Sequence, residues 1–190
     1  MAQLSELLPL VREKCQGMPN QQALDQLKKA YRTFCLKSGY VQETETVARA
    51  IDGTVELSPP YEHYIHSIDI VEDANGRRLT KGVQYKVDTR NVVTLVEGVN
   101  SAVITYSIVP TLPLDNKAEV DEDVLLRWPD ELAAGAASLL RLMPGQPWSD
   151  NALSDFYQRE FVKGHREAFR LRVISNDENQ FQTQTKRDFF

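Results

Sequence analysis

The sequence has two cysteines and three histidines in 190 residues, and no apolar run near the length of a membrane span. With two thiols a disulfide-stapled secreted scaffold is excluded. Cys15 and Cys35 both fall on apolar faces of expected helices, where a thiol behaves as a small hydrophobe, so reduced core thiols are expected. A membrane helix needs roughly 20 consecutive apolar residues, and none is present. The N-terminal stretch MAQLSELLPLVREK also lacks an apolar segment of signal-peptide length, which predicts a protein made in a reducing cytoplasm. Basic charge is in deficit as well. A formal net charge of −5 speaks against an adhesive duplex-binding surface, because phosphate binding needs clustered Lys and Arg. The acidity is concentrated between Asp115 and Glu131, where seven acids (Asp115, Glu119, Asp121, Glu122, Asp123, Asp130, Glu131) face Lys117 and Arg127.

Catalytic signatures are missing too. There is no Gly-rich phosphate loop, no GxSxG elbow, no CxxC and no HExxH. His63 and His66 in YEHYIHSI resemble a metal pair, but in a strand of period two they point to opposite faces and converge only across a bulge. His165 lies between Lys163 and Arg166 with no second ligand at i±4 and reads as a surface residue. The acids around Asp121 are adjacent, so on a helix they fan around the axis, and DEDVLLRWPDEL lacks the spacing and glycine of a calcium loop. A solvated acidic face, or a complement to a helix dipole, is the expected role. No catalytic residue, cofactor or metal is therefore assigned, and the chain is expected not to be an enzyme.

What is present is a hydrophobic content of 42%, enough for a real core. Leu4, Leu7, Leu8, Val11 and Cys15 recur at helical spacing with Ser5 as the expected N-cap. A second helix runs from Asn20, striped by Leu24, Leu27, Tyr31, Phe34 and Cys35, and ends at Ser38-Gly39. From Tyr40 the period changes to two. Strands are expected at 64–71 and 102–109, with 83–87 and 92–96 as a hairpin, all in an antiparallel meander. After Pro110 and Pro113 the pattern returns to helix at 119–126, breaks at Trp128-Pro129, and starts again with Leu132, Ala133, Ala136, Leu139, Leu140 and Met143. The run Ala133-Ala134-Gly135-Ala136-Ala137 allows close approach of a neighbouring helix. Trp128 and Trp148, each beside a proline, are expected to pack into the core. Ser149 is the expected cap of a last helix spanning about 150–172.

The tail SNDENQFQTQTKRDFF is polar until its final two rings, and reads as an extended arm. Phe189 and Phe190 suit an anchor in a partner's groove, and Phe181 and Arg187 join them as candidate partner-binding residues. The expected organisation is a helical hairpin over 1–40, a β module over 41–114, C-terminal helices over 115–174 and an arm over 175–190. The expected fold is α+β: a four-helix bundle formed from both chain ends, with an inserted antiparallel β module and an extended C-terminal arm.

Several stretches carry a resemblance. Ala30-Tyr31-Arg32-Thr33-Phe34-Cys35 running to Ser38-Gly39-Tyr40, Ile68 to Val71 with Gly76 and Leu79, and Arg127-Trp128-Pro129-Asp130-Glu131-Leu132-Ala133-Ala134-Gly135-Ala136 resemble head-to-tail adaptor (connector) proteins of tailed bacteriophages. Met143-Pro144-Gly145-Gln146-Pro147-Trp148-Ser149-Asp150 and Phe156-Tyr157 to Gly164 extend it over most of residues 25–170. The resemblance implies a virion protein of the neck between head and tail, assembled in the host cytoplasm. It implies a twelvefold ring of this chain around the DNA channel, with portal protein on one side and a tail or nozzle protein below. The arm would dock on portal. Asp121, Glu122 and Asp123 would face the channel as a negative wall past which DNA slides without specific binding. Two alternatives stand beside it: a tail-completion or tail-terminator subunit, and a metal-dependent hydrolase using His63, His66 and the acids near Asp121.

Overall fold

In the computed structural model, which describes residues 2–115 and 119–177, the apolar stripe of the N-terminus starts as a single 3-10 turn, Leu4–Leu7, preceded by the short strand β1 (Ala2–Gln3) and continued by helix α1 (Leu8–Lys14). Gln3, not Ser5, takes the cap position, and its N–H donates to the Glu6 carboxylate at 3.0 Å. Pro9 falls in the first turn of α1, where its missing N–H costs nothing. Helix α2 (Asn20–Ser38) follows Pro19 directly, so Asn20 is its first residue rather than its cap. Gly39 closes it at φ 57, donating its N–H to Cys35 at 2.8 Å. That left-handed conformation is cheap only for glycine.

Six strands follow: β2 (Gln42–Ala48), β3 (Thr54–Glu56), β4 (His63–Asp73), β5 (Tyr85–Val87), β6 (Val92–Leu95) and β7 (Ser101–Pro110). They form two antiparallel three-stranded sheets, ordered β2-β7-β4 and β3-β6-β5. The expected 83–87/92–96 hairpin is the β5–β6 pair, Tyr85 opposite Leu95. The meander is corrected. β7, last in sequence, lies between β2 and β4, because a period-two pattern says which side chains face the core but not which strand is the neighbour. Along β7 burial alternates through Thr105 and is then continuous from Tyr106 to Pro110. The second half is covered on both faces, with α2 packed against the strand.

After the two-residue strand β8 (Glu119–Val120), which pairs with β1, come α3 (Glu122–Arg127), α4 (Pro129–Arg141) and α5 (Asn151–Asp177). The α+β class stands, but the four-helix bundle with an inserted module does not. Among the described residues there are five α-helices. Pro129 divides the third segment into α3 and α4, and α1 and α3, of seven and six residues, are too short to be bundle partners of α2, α4 and α5. The two sheets are no appendage either, since one continuous buried cluster joins Leu27, Phe34, Val71, Ile104, Leu132 and Phe161. Cys15 and Cys35 are both buried in it and unlinked. The first three residues of the expected arm, 175–177, are helical, because α5 runs to Asp177. Residues 178–190 lie outside the described residues. Asp150 rather than Ser149 caps α5, accepting the Leu153 N–H at 3.0 Å.

The small-residue run does what its composition implies. Ala133, Ala134, Ala136 and Ala137 are at most 2% exposed, and α4 crosses α5 at two glycines. A Cβ added at Gly135 would stand 2.6 Å from the Phe161 ring, and one at Gly164 would stand 2.6 Å from Glu131 Cβ. We therefore expect Gly135→Ala and Gly164→Ala each to destabilise by about 1–2 kcal/mol in urea denaturation, overpacking outweighing alanine's better helix propensity. Unchanged midpoints would show that the crossing has slack.

Candidate functional site

The strand β4 carries two register shifts against β7, one between Ile65 and Ser67 and one between Ile68 and Ile70. The extra residues are His66 and Asp69. A bulge re-aims the residue it releases from the ladder. Asp69, with a side chain 10% exposed, lies 3.6 Å from the Arg172 guanidinium of α5, itself 15% exposed. The Asp69 carboxylate also accepts from Gln42 Nε2 at 2.6 Å, Ser67 Oγ at 2.8 Å and the Ser107 hydroxyl. Ser107 Oγ stands 2.8 Å from the Gly39 carbonyl and accepts from Arg172 Nη1 at 3.3 Å. The Arg172 guanidinium stacks on Phe169, 4.9 Å from its centroid. One buried carboxylate thus joins β2, β4, β7, the end of α2 and the C-terminal half of α5.

Beside it opens a polar cleft of about 440 Å³, lined among others by Tyr40, Gln42, Asp121, Asp123, Arg127 and Arg172. Two of the three acids read as channel-facing are here. Asp121 caps α3, its carboxylate accepting the Val124 N–H at 2.9 Å while its own N–H donates to the Tyr31 hydroxyl at 3.0 Å. Asp123 accepts from the Tyr40 hydroxyl at 2.6 Å and from Arg127 Nε at 2.9 Å. Glu122 alone of the three is exposed. Burial, reinforced by the bond to Asp123, pushes the Tyr40 phenol up to about 12. That bond and the Arg127 guanidinium hold the Asp123 carboxyl below its usual range. Tyr40 rests edge-on against Trp128, centroids 4.8 Å apart, and Trp128 against Phe34 at 5.2 Å. Asp121 thus serves the α3 backbone and Asp123 serves Tyr40 and Arg127, so the acids lining the cleft are committed to fixed partners.

The histidines stay apart in role. His63 Nδ1 is 2.9 Å from the Tyr61 carbonyl, while His66 is exposed at its bulge. Among the described residues no three His, Cys, Asp or Glu side chains come together as a metal set, so His63, His66 and Asp121 do not converge. His165 is half-buried, edge-on to Phe161 at 5.4 Å, and burial lowers its pKa. The partner-binding candidates Phe181, Arg187, Phe189 and Phe190 lie outside the described residues.

One feature escaped the sequence reading. Arg159, Lys163, Arg166 and Arg170 are all exposed on the side of α5 away from its buried Phe161, Gly164 and Ala168. Their 4-3-4 spacing was the available signal, hidden by the net charge of the whole chain.

Two outcomes are expected. Replacing Asp69 by Asn leaves Arg172 buried without its counter-charge and should cost about 3 kcal/mol in chemical denaturation. A loss under 1 kcal/mol would mean the carboxylate is dispensable. The second concerns alkali: Tyr40, Tyr106 and the buried Cys35 thiol are all raised to about 12, burial being the leading cause in each. The native state keeps these protons while the unfolded chain loses them above roughly 8.5 for the thiol and 10 for the phenols. Stability is then fully present below that range and lost as pH climbs toward 12. A melting temperature flat to pH 11 contradicts this, and Tyr40→Phe should flatten part of the fall.

No protein-family model matches the chain, and no curated protein matches it.

Proposed function

We propose that the chain is a structural subunit of a tailed-phage neck, an adaptor that forms a twelvefold ring between portal and tail and continues the DNA channel. The observation that carries the reading is α5. Its 27 residues extend about 40 Å at 1.5 Å per residue. It is packed along one side, while its outer side holds exposed Phe156, Phe169, Val173 and Ile174 beside the exposed Arg159, Lys163, Arg166 and Arg170. Exposed apolar residues set among arginines mark contact surfaces, and an adaptor needs faces for partner proteins besides those that meet its ring neighbours. The motifs that resemble adaptors, Arg127 to Ala136 and Phe156 to Gly164, are those that build the α4–α5 crossing behind this surface.

In this reading the residues after Asp177, with Phe181, Arg187, Phe189 and Phe190, dock on portal, and a tail or nozzle protein binds below. Glu122 contributes to the negative channel wall, whereas Asp121 and Asp123 act as cap and cleft ligands. DNA passes without specific binding. The site of action is the virion neck, reached from the host cytoplasm. Among the described residues no helix is long and apolar enough to cross a membrane. A tail-completion subunit remains the runner-up, separated by which partner is bound.

Negative-stain imaging of the chain mixed with its portal protein should show a ring beneath the portal. Deleting residues 178–190 should abolish docking while the melting temperature stays unchanged. Docking that survives the deletion removes the arm's role, and binding to tail proteins alone removes the adaptor reading.

A further inference from the structure

Arg159, Lys163, Arg166 and Arg170 follow one another at i, i+4, i+7 and i+11, so three successive like-charge pairs line one stripe of α5. Each such pair costs an isolated helix about 0.2–0.5 kcal/mol. Among the described residues none of the four forms an ion pair, although Glu160 and Glu167 are close in sequence. A protein of net charge −5 thus carries a cationic rail about 16 Å long, at 1.5 Å per residue, and Glu167 is the acid that lines the same depression as its four cations. Beside it runs a second stripe in the same rhythm: Val162, Arg166, Phe169 and Val173, again 4-3-4. Phe169 is 45% and Val173 36% exposed. Lys37, at the end of α2, faces them, and with His165 and Arg170 they line a depression of about 530 Å³.

An apolar row of Val162, Phe169 and Val173, spaced 7-4 and bordered by cations, suits the reception of another helix, apolar residues interdigitating and flanking charges setting the partner's sign. We propose that this face of α5 is a docking site for an acidic amphipathic helix of another protein, laid into the seam of Val162, Phe169 and Val173 with its carboxylates on Arg159, Lys163, Arg166, Arg170 and Lys37. Phosphate backbone is the lesser fit, since it would use the rail but leave the apolar seam exposed. The surface goes beyond the adaptor reading and stands whether or not the chain forms a neck ring.

The test uses the full chain and a labelled 21-residue synthetic peptide of three heptads, leucine at a and d and glutamate at e and g. Its scrambled isomer and a 24-base-pair DNA duplex serve as comparisons. Fluorescence anisotropy should show the heptad peptide bound at least tenfold more tightly than either. Arg166→Glu/Arg170→Glu and, separately, Val173→Ser should each weaken it at least tenfold, with circular-dichroism melting unchanged because these side chains are exposed. The proposal is overturned by equal binding of the scrambled peptide, by tighter binding of the duplex, or by no peptide binding. Sedimentation showing self-association of the chain that Arg166→Glu/Arg170→Glu abolishes would also overturn it, making a second copy the occupant.

Discussion

The relation of the helices to the sheets hangs on the Asp69 carboxylate. It is the residue set loose by a bulge in β4, and it gathers Gln42, Ser67, Ser107 and Arg172 around one buried point. A buried ion pair adds little net stability, because desolvation offsets the Coulomb attraction, but it penalises every arrangement in which one partner is left alone. The pair therefore acts on geometry. It sets where the C-terminal half of α5 lies over β7 and the end of α2. Gly39 is part of the same constraint, since a side chain there would overlap the Arg172 guanidinium.

The other end of α5 is held by shape. Gly135 receives the Phe161 ring and Gly164 receives the Glu131 stem, so α4 and α5 approach more closely than side chains of ordinary size permit. Phe34, Trp128 and Phe161 fill the space between α2 and this pair, each burying enough apolar area to contribute about 2 kcal/mol or more. With one side fixed by a charge pair and a helix crossing, the opposite side of α5 is left facing outward. Its cations and its apolar seam then keep constant spacing, which a surface for a helical partner requires.

Where sequence and structure agree, a local rule was sufficient. Helix α2 ends at Gly39 because only glycine is comfortable at positive φ, and the β5–β6 hairpin follows from two short runs and the turn between them. Where they differ, the deciding contact was distant. The order β2-β7-β4 pairs residues some 60 positions apart, as in Thr44 opposite Thr105, and no periodicity encodes that choice. The acids near Asp121 looked like a single negative face, but Tyr40 and Arg127 claim Asp123 and the α3 backbone claims Asp121. The cationic rail was visible in principle, yet total charge masked it, because an average over 190 residues hides a stripe of four.

By itself the sequence determined the α+β class, the helix stops at Gly39 and Pro129, the place of the β segment and the close crossing at Gly135, since each depends on backbone freedom, residue size or periodicity within a few turns of chain. Only the tertiary structure decided that the five described helices share one core with two three-stranded sheets, that His66 and Asp69 leave the β4 ladder, and that α5 turns its cations outward. Those outcomes rest on which buried groups find partners across the fold, and the free energy of a buried charge depends on neighbours that the local sequence does not name.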